Sequence, residues 1–412
     1  MSFKVGKKTR TSLILLLVVL FVFSIVGCGN SGQKQDNNQS QQKAKEEIVI
    51  GCVGAMTGPS AQLGNNLKYG VTVAIDEINA NGGVNGAKLR AIFRDDEADP
   101  TKSLSLTREL VEKEKIDLFI GPVNTTCCKA IQPYLNQQKI LHLIGGCTGT
   151  ALIDEKQFPY SFRTHITDRL QAQFMANWAI DSGYKKIAMV HDTSALGMGA
   201  KEDMMAVFTE AGVEPVADVT YNVGDVDMLP AAQKIKDAGA DAALLFTLAV
   251  DGARIVNSLE KVNYLPPNVA LHGYTCLGQP AFRELAGKNA EGVLCNTAIN
   301  CSYLPGEQPN QRVLDVISKM EKTFGENAAN EVIVGTMLFH YDIVYILQEA
   351  IEKAGGSLNS DDLKTAMEQI SSFEGVACNY SFAPDKHNGM DMTQLKSTVV
   401  TKNIKGCFEL AQ

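Results

Sequence analysis

The side chains of greatest chemical reach in this 412-residue chain are its ten cysteines and six histidines. Cys127 and Cys128 are adjacent, Cys147 lies in the run Gly145-Gly146-Cys147-Thr148-Gly149-Thr150, and Cys276 follows Gly273-Tyr274-Thr275. All four fall in or beside loops that follow strand-like segments, and clustered thiolates bind soft metals. Their spacings match no standard metal site, and no histidine pairs with a second ligand at helical or CxxC spacing. Small buried side chains are the expectation for these thiols, with no metal site and no cofactor. The chain also lacks a GxSxG elbow, an HExxH helix, a phosphate-binding P-loop and a Ser/His/Asp order. His191, in Val190-His191-Asp192, reads as a polar residue at a strand end. No catalytic residue is expected, and no enzyme.

The elements that position these loops alternate regularly. An apolar strand, Ile48 to Val53, runs into the Gly/Pro/Ser-rich stretch Gly51–Gly64, after which Val71, Ala74, Ile75 and Ile78 recur at helical spacing. Strand Lys88–Arg94, helix Pro100–Lys115, strand Ile116–Ile120, a helix after Gly121–Thr126 and strand Ile140–Ile144 follow. A second series starts after Tyr160–His165: helix Arg169–Ser182, strand Lys186–His191, a helix ending near Gly212, strand Val216–Tyr221, helix Met228–Ala238, strand Ala242–Thr247, a helix through Lys261, and strand Asn268–His272. Gly292–Ile299 is extended. Helices Gln311–Phe324, Glu331–Ala354 and Ser360–Ile370 precede strands near Val376–Phe382, Gln394–Thr401 and Cys407–Leu410. Such alternation predicts parallel sheets covered on both faces. Two series with a late return predict two lobes, more than one crossing between them, and a ligand cleft closed by hinge motion.

Residues 1–28 carry a different pattern. Lys4, Lys7, Lys8 and Arg10 precede the apolar run Leu13–Phe23, which is short for a membrane span and suits a signal-peptide core. Ile25-Val26-Gly27-Cys28 then resembles a bacterial lipobox, so Cys28 is the expected lipidation site and mature N-terminus. Residues 29–46, rich in Gln, Asn, Ser and Lys, read as a flexible tether. The expected location is the outer face of a cell membrane, with the bilayer touched through the Cys28 lipid alone. The acidic balance, 46 Asp and Glu against 38 Lys and Arg, disfavours nucleic acid and anionic membrane surfaces as partners. With Cys28 lipidated, nine cysteines remain and at least one is unpaired. Cys295 with Cys301 and Cys378 with Cys407 are open as pairings, beside free thiols preserved in a reducing habitat.

Three segments carry a family likeness: Val53–Gly64, Asp76–Gly86 and Arg94–Pro100. Further matches are Ile120-Gly121-Pro122, Val190-His191-Asp192 with Leu196–Gly199, Ala286–Val293, and Phe373-Glu374-Gly375-Val376 followed by Phe382, Asp385 and Gly389. As an ordered set they closely resemble the leucine/isoleucine/valine-binding proteins, type I periplasmic binding proteins that serve branched-chain amino acid ABC importers. The resemblance covers essentially everything from Ile48 onward. It implies an α/β fold of two Rossmann-like lobes joined by a multi-crossing hinge. The N-terminal lobe would comprise residues 47–163 and 299–391, the C-terminal lobe residues 164–298 and 392–412.

The resemblance also implies a site. The ligand's carboxylate would lie against Thr125 and the Cys147-Thr148-Gly149 segment, where helix N–H groups and a hydroxyl hold an anion without an arginine. Gly149 lacks a hydroxyl that the family often has there, and Thr148 or Thr150 is the expected substitute. Where amino-acid binders place tyrosines, this chain has Leu63, Leu196 and Leu248. Where they hold the ammonium with an acid, it has Thr275, beside Tyr274, and both would close on the ligand from the second lobe. An unpaired ammonium in a closed cleft is costly. The expected cargo is a small carboxylate, either a branched-chain or other hydrophobic amino acid or a non-amino apolar or aromatic acid. It would be delivered by a monomer to permease subunits with their ATPases, and a sensor subunit is the less favoured alternative.

Overall fold

The computed structural model describes residues 45–58 and 60–411. The signal-peptide and Cys28 readings, and most of the tether, lie outside the described residues. The first series builds a five-stranded, all-parallel sheet from β1 (Glu47–Gly54), β2 (Lys88–Asp95), β3 (Leu118–Ile120), β4 (His142–Ile144) and β5 (Ser161–Arg163), in the order β2-β1-β3-β4-β5. Its strands alternate with α1 (Ala61–Ala80), α2 (Pro100–Glu112) and α3 (Thr125–Gln137). From Ile48 onward β1 is buried at every position, as a strand covered on both faces must be.

The second series begins with α4 (Asp168–Asp181), β6 (Ile187–Asp192), α5 (Ala195–Ala211), β7 (Ala217–Tyr221), α6 (Leu229–Asp237) and β8 (Ala242–Phe246). It continues through α7 (Ala249–Lys261), β9 (Ala270–Gly273), α8 (Pro280–Ala286), β10 (Val293–Ala298) and β11 (Ser302–Tyr303). The chain then returns to the first lobe with α9 (Gln311–Phe324), α10 (Val334–Lys353), α11 (Ser360–Glu368) and the small hairpin β12 (Phe373–Glu374) and β13 (Asn379–Tyr380). It ends with β14 (Leu395–Ile404) and β15 (Cys407–Leu410) in the second sheet, whose order is β11-β15-β14-β10-β9-β8-β6-β7. The chain thus passes between lobes after β5, after β11 and before β14. This is the type I periplasmic-binding-protein fold.

The first lobe's largest core lies between its sheet and the paired helices α1 and α10, and a smaller one is formed with α2 and α3. Glu77 of α1 accepts from the hydroxyls of Tyr341 and Tyr345 of α10, and Asn66 of α1 accepts from the Ile333 N–H where α10 begins, so two polar anchors cross this seam. The second lobe has one core on the α6–α8 face and another on the α4–α5 face.

One expected element is much shortened. The strand near Val376–Phe382 is reduced to the two-residue β13, because the buried carboxylate of Asp342 on α10 captures the N–H groups of Val376 and Ala377, at 2.7 and 2.9 Å. Those donors are thereby withdrawn from any strand ladder. The nine cysteines among the described residues are all free. Neither Cys295–Cys301 nor Cys378–Cys407 is a disulfide.

Candidate functional site

Parallel strands bring their carboxyl ends to one edge, and in each lobe that edge carries the loops of interest. In the first lobe the loop after β1 is pinned by Asp95, at the end of the neighbouring β2. Its carboxylate accepts from the Met56 N–H at 2.8 Å and the Thr57 hydroxyl at 2.5 Å. Burial raises the Asp95 carboxyl, but the Thr57, Glu97 and Met56 hydrogen bonds outweigh it and hold the group below its ordinary range. Two of the family-like segments therefore meet in one loop. Gly64 lets α1 close on that loop, since a Cβ there would sit 2.0 Å from the Ala55 carbonyl oxygen. Leu63, one residue earlier, packs half-buried against the α1–α10 core.

Thr125 is the first residue of α3, half-buried, and follows Asn124 at the cap position. Asn124 makes no side-chain cap bond. Its amide instead lies 3.5 Å from the Ser60 hydroxyl, which ties the start of α3 to the loop after β1. Gly149 sits against Thr125: a Cβ at Gly149 would be 2.5 Å from Thr125 Cγ2 and 3.2 Å from its Oγ1. The structure therefore brings Thr125 and the Cys147-Thr148-Gly149 segment together.

The carbonyls of that segment are all spoken for. Arg163, at the end of β5 and fully buried, donates from one terminal nitrogen to the Cys147 carbonyl at 3.3 Å and the Gly149 carbonyl at 2.8 Å. Its Nε donates to Asn388 Oδ1 at 2.7 Å. Burial brings the guanidinium down to about 10, still charged at neutral pH. The Thr148 carbonyl accepts from the Asp168 N–H, at 3.0 Å, where the chain enters α4. Sequence reasoning missed Arg163, whose signal was an arginine inside a segment that otherwise reads as buried strand.

Asp168 was missed as well. Burial pushes its carboxyl up, while a hydrogen bond with Thr148 and the charge of Arg163 pull it down, with a net rise. Its Oδ1 is buried without a hydrogen-bond partner. The thiols behind this wall are packing groups. Cys147 Sγ donates to the Pro122 carbonyl at 3.1 Å, and Cys147 packs with Cys128, Ile144 and Leu152. Burial alone would raise both thiols. Hydrogen bonds from Cys147 and His142, with the field of Arg163, make Cys128 the more acidic of the two.

In the second lobe Leu196, Leu248 and Tyr274 stand just beyond the carboxyl ends of β6, β8 and β9, which are neighbours in the sheet. Leu248 caps α7 and is 39% exposed. Leu196 packs half-buried on the α4–α5 core. Tyr274 is only 6% exposed and stacks on Phe246, with ring centroids 4.4 Å apart. The Thr275 hydroxyl and N–H both donate to Gln171 Oε1 of α4, the latter at 3.4 Å. His191 is buried, with its ring bonded to the Asp192 carbonyl at 2.9 Å and to Asp218 at 2.8 Å, so it anchors β6 to β7. A cavity of about 270 Å³ lies where the lobes meet, and Thr275 is the one expected ligand residue on its wall.

Comparison with known proteins agrees with this architecture. A family profile described as periplasmic binding protein matches residues 47–399. A Leu/Ile/Val-binding protein homolog from Brucella melitensis is 26% identical over 325 residues, covering 79% of this chain and 84% of its own. Among solved structures, a solute binding protein of an ABC transporter from Rhodopseudomonas palustris, in complex with p-hydroxybenzoic acid, superposes with a TM-score of 0.75. It has 22% identity and covers 89% of this chain and 96% of its own. A branched-chain amino acid transporter substrate binding protein from Streptococcus pneumoniae, in complex with isoleucine, gives a TM-score of 0.71. It has 21% identity and covers 89% of this chain and 99% of its own. Two lobes, loops gathered at facing strand ends and a match along most of the chain place it with proteins that bind and do not catalyse: the chain belongs to the periplasmic binding protein family.

Proposed function

We propose that this chain is the extracytoplasmic substrate-binding lipoprotein of an ABC importer, capturing a small hydrophobic carboxylate between its lobes and delivering it to permease subunits with their ATPases. The observation that carries the reading is the wall made by Thr125 and Gly149. Arg163 and Asp168 hold the carbonyls of residues 147–149. That leaves the N–H groups of the loop, the first turn of α3 and the Thr125 hydroxyl as the donors for an anion. Leu63, Leu196 and Leu248 supply an apolar body for the site, and the relatives that carry branched-chain names agree with a ligand of that shape. Loaded and empty forms differ in lobe closure, and the permease reads that difference.

Two readings of the ligand's other end follow from two observations. Asp168, with one carboxylate oxygen unpartnered beside Thr148, is an acceptor for an ammonium group and favours a hydrophobic amino acid. Thr275 spends both donors on Gln171 and offers no acid, which favours a non-amino acid such as the aromatic carboxylate bound by the Rhodopseudomonas relative. A thermal-shift panel of leucine, isoleucine and valine against their 2-oxo acids and 4-hydroxybenzoate separates the two. A rise in melting temperature with amino acids alone selects the first reading, and a rise with the oxo or aromatic acids selects the second. A panel in which only sugars, amides or metals act would overturn the carboxylate assignment.

A further inference from the structure

The cavity at the lobe junction has a chemistry of its own. Its wall takes Val334, Gly335 and Thr336, the first turn of α10, from one lobe, and Asn296, Arg283 and Phe408 from the other. At about 270 Å³ it is just below the roughly 300–1,000 Å³ of ordinary small-molecule pockets. α10 is 20 residues long and starts without a side-chain cap, because the residue before it is Ile333. Asn66 Oδ1 takes the Ile333 N–H at 2.8 Å, but the N–H groups of Val334, Gly335 and Thr336 have no side-chain acceptor among the described residues and stand at the positive end of the helix dipole.

Three polar features converge there. Asn296 is 1% exposed, and neither its Oδ1 nor its Nδ2 has a hydrogen-bond partner within the protein. Native proteins seldom leave a buried amide unpaired at both ends, and a ligand is one way to satisfy it. Arg283 forms no ion pair among the described residues. One of its nitrogens donates to the Gly278 carbonyl at 2.5 Å, and its guanidinium lies 5.5 Å from the Phe408 ring centroid. The acidic side chains on the wall are Glu321, paired with Lys405 at 2.6 Å, and the exposed Glu326.

We propose that this cavity is a second small-molecule site, for a compact carboxylate that also carries a hydrogen-bond donor, such as a short hydroxy acid or a small amino acid. The carboxylate faces the first turn of α10, Arg283 and Asn296 Nδ2, and the donor faces Asn296 Oδ1. A carboxylate alone would leave Oδ1 unpaired, and a neutral ligand would leave Arg283 uncompensated. The site stands apart from the Thr125 wall and shares only Thr275 with the expected ligand set. Because both lobes line it, an occupant favours one lobe arrangement and thereby changes affinity at the Thr125 wall.

Calorimetric titration of the mature protein with glycolate, lactate and alanine tests this, using wild type, Thr125→Val, Asn296→Leu and Arg283→Gln. The expected result is a binding event weakened at least tenfold by Asn296→Leu and by Arg283→Gln, and changed less than twofold by Thr125→Val. Urea transitions check that each variant folds, and Arg283→Gln carries the test if Asn296→Leu does not. A response lost with Thr125→Val and kept by both other variants overturns the second site, as does the absence of binding by all three probes to wild type. If Thr125→Val is silent toward hydrophobic acids as well while Asn296→Leu still acts, the second site stands and the Thr125 wall falls.

Discussion

Thr125 and Gly149 are matched in size: the space a side chain on residue 149 would fill is already held by the Thr125 methyl, 2.5 Å from the ideal Cβ position. The glycine is therefore a condition of the threonine, whose Oγ1 lies 3.2 Å from the same point. Gly149→Ala should cost about 1–3 kcal/mol in urea unfolding, the usual range for overpacking. Combining it with Thr125→Ser, which removes the methyl and keeps the hydroxyl, should restore most of the loss. A double variant no more stable than Gly149→Ala alone would show that the two residues do not compete for this space.

Arg163→Met tests what shapes the wall. The substitution removes hydrogen bonds to the carbonyls of Cys147 and Gly149 and to Asn388. The Gly149 carbonyl keeps the Leu152 N–H at 3.2 Å, but the Cys147 carbonyl and Asn388 Oδ1 lose this donor, and leaving an acceptor unpaired costs about 1–3 kcal/mol, so a loss of about 2 kcal/mol or more is expected. Arg163→Lys should recover little, because an ammonium cannot reproduce the planar fork. Binding of the carboxylate found in the thermal-shift panel should weaken in parallel, because the loop carrying residues 147–149 loses the bonds that hold its shape. Near-normal stability of the methionine variant would mean the loop holds its shape without the guanidinium.

Much of the scaffold was legible in the chain. The helix pattern over Gln311–Phe324 coincides with α9, and the strand read at Ile48–Val53 is β1 less one residue at each end, because apolar periodicity is a local signal that the buried faces then obey. The hairpin of β12 and β13 was not legible, since Asp342 on a distant helix decides which N–H groups remain for a strand. The wall of the site was legible as a set of names but not as a structure. Thr125 and Gly149 fit each other only in three dimensions, and a strand arginine such as Arg163 reads as solvent-facing until both flanks are covered. Asp168 was hidden in the same way, as a helix-start acid whose value lies in an oxygen left without a partner.

The free thiols make a prediction about redox state. Cys276 is half-buried, and the other eight cysteines among the described residues are buried. Cys301 is raised well above its ordinary range by burial, and by neighbouring Cys407 and Cys378, which lie near it in the core. A thiol reagent should label the native protein slowly and the urea-unfolded protein at all these positions, and dithiothreitol should leave the melting temperature unchanged. A Cys378–Cys407 bridge, closing a loop of about 30 residues, would be worth about 3.6 kcal/mol by loop closure, so a drop of several degrees on reduction would contradict the free-thiol state.

His340 sets an acid limit on the first lobe. Its ring is buried against the Gly145–Gly146 loop that leads to Cys147, and a Cβ at Gly145 would lie 2.6 Å from it. Burial, countered in part by a hydrogen bond with the Thr336 backbone, lowers its pKa to about 4, and the neighbouring His165 is lowered to about 4 as well. An unfolded histidine titrates near 6.5, so between pH 6.5 and pH 4 the unfolded chain takes up a proton that the native protein refuses. The stability His340 contributes is full above pH 6.5 and is lost as pH falls through that window, by about 3 kcal/mol in all. His340→Leu forgoes only a contact to the Thr336 carbonyl and leaves no partner stranded at Nε2. Urea midpoints measured from pH 7.5 to pH 4 should therefore fall less steeply for His340→Leu than for wild type, with His165 and His272, the latter lowered by burial to about 3, contributing to what remains. Equal slopes for the two proteins would mean that His340 already carries its proton in the native state, and the packing of its ring on Gly145 would then have to accommodate a charge.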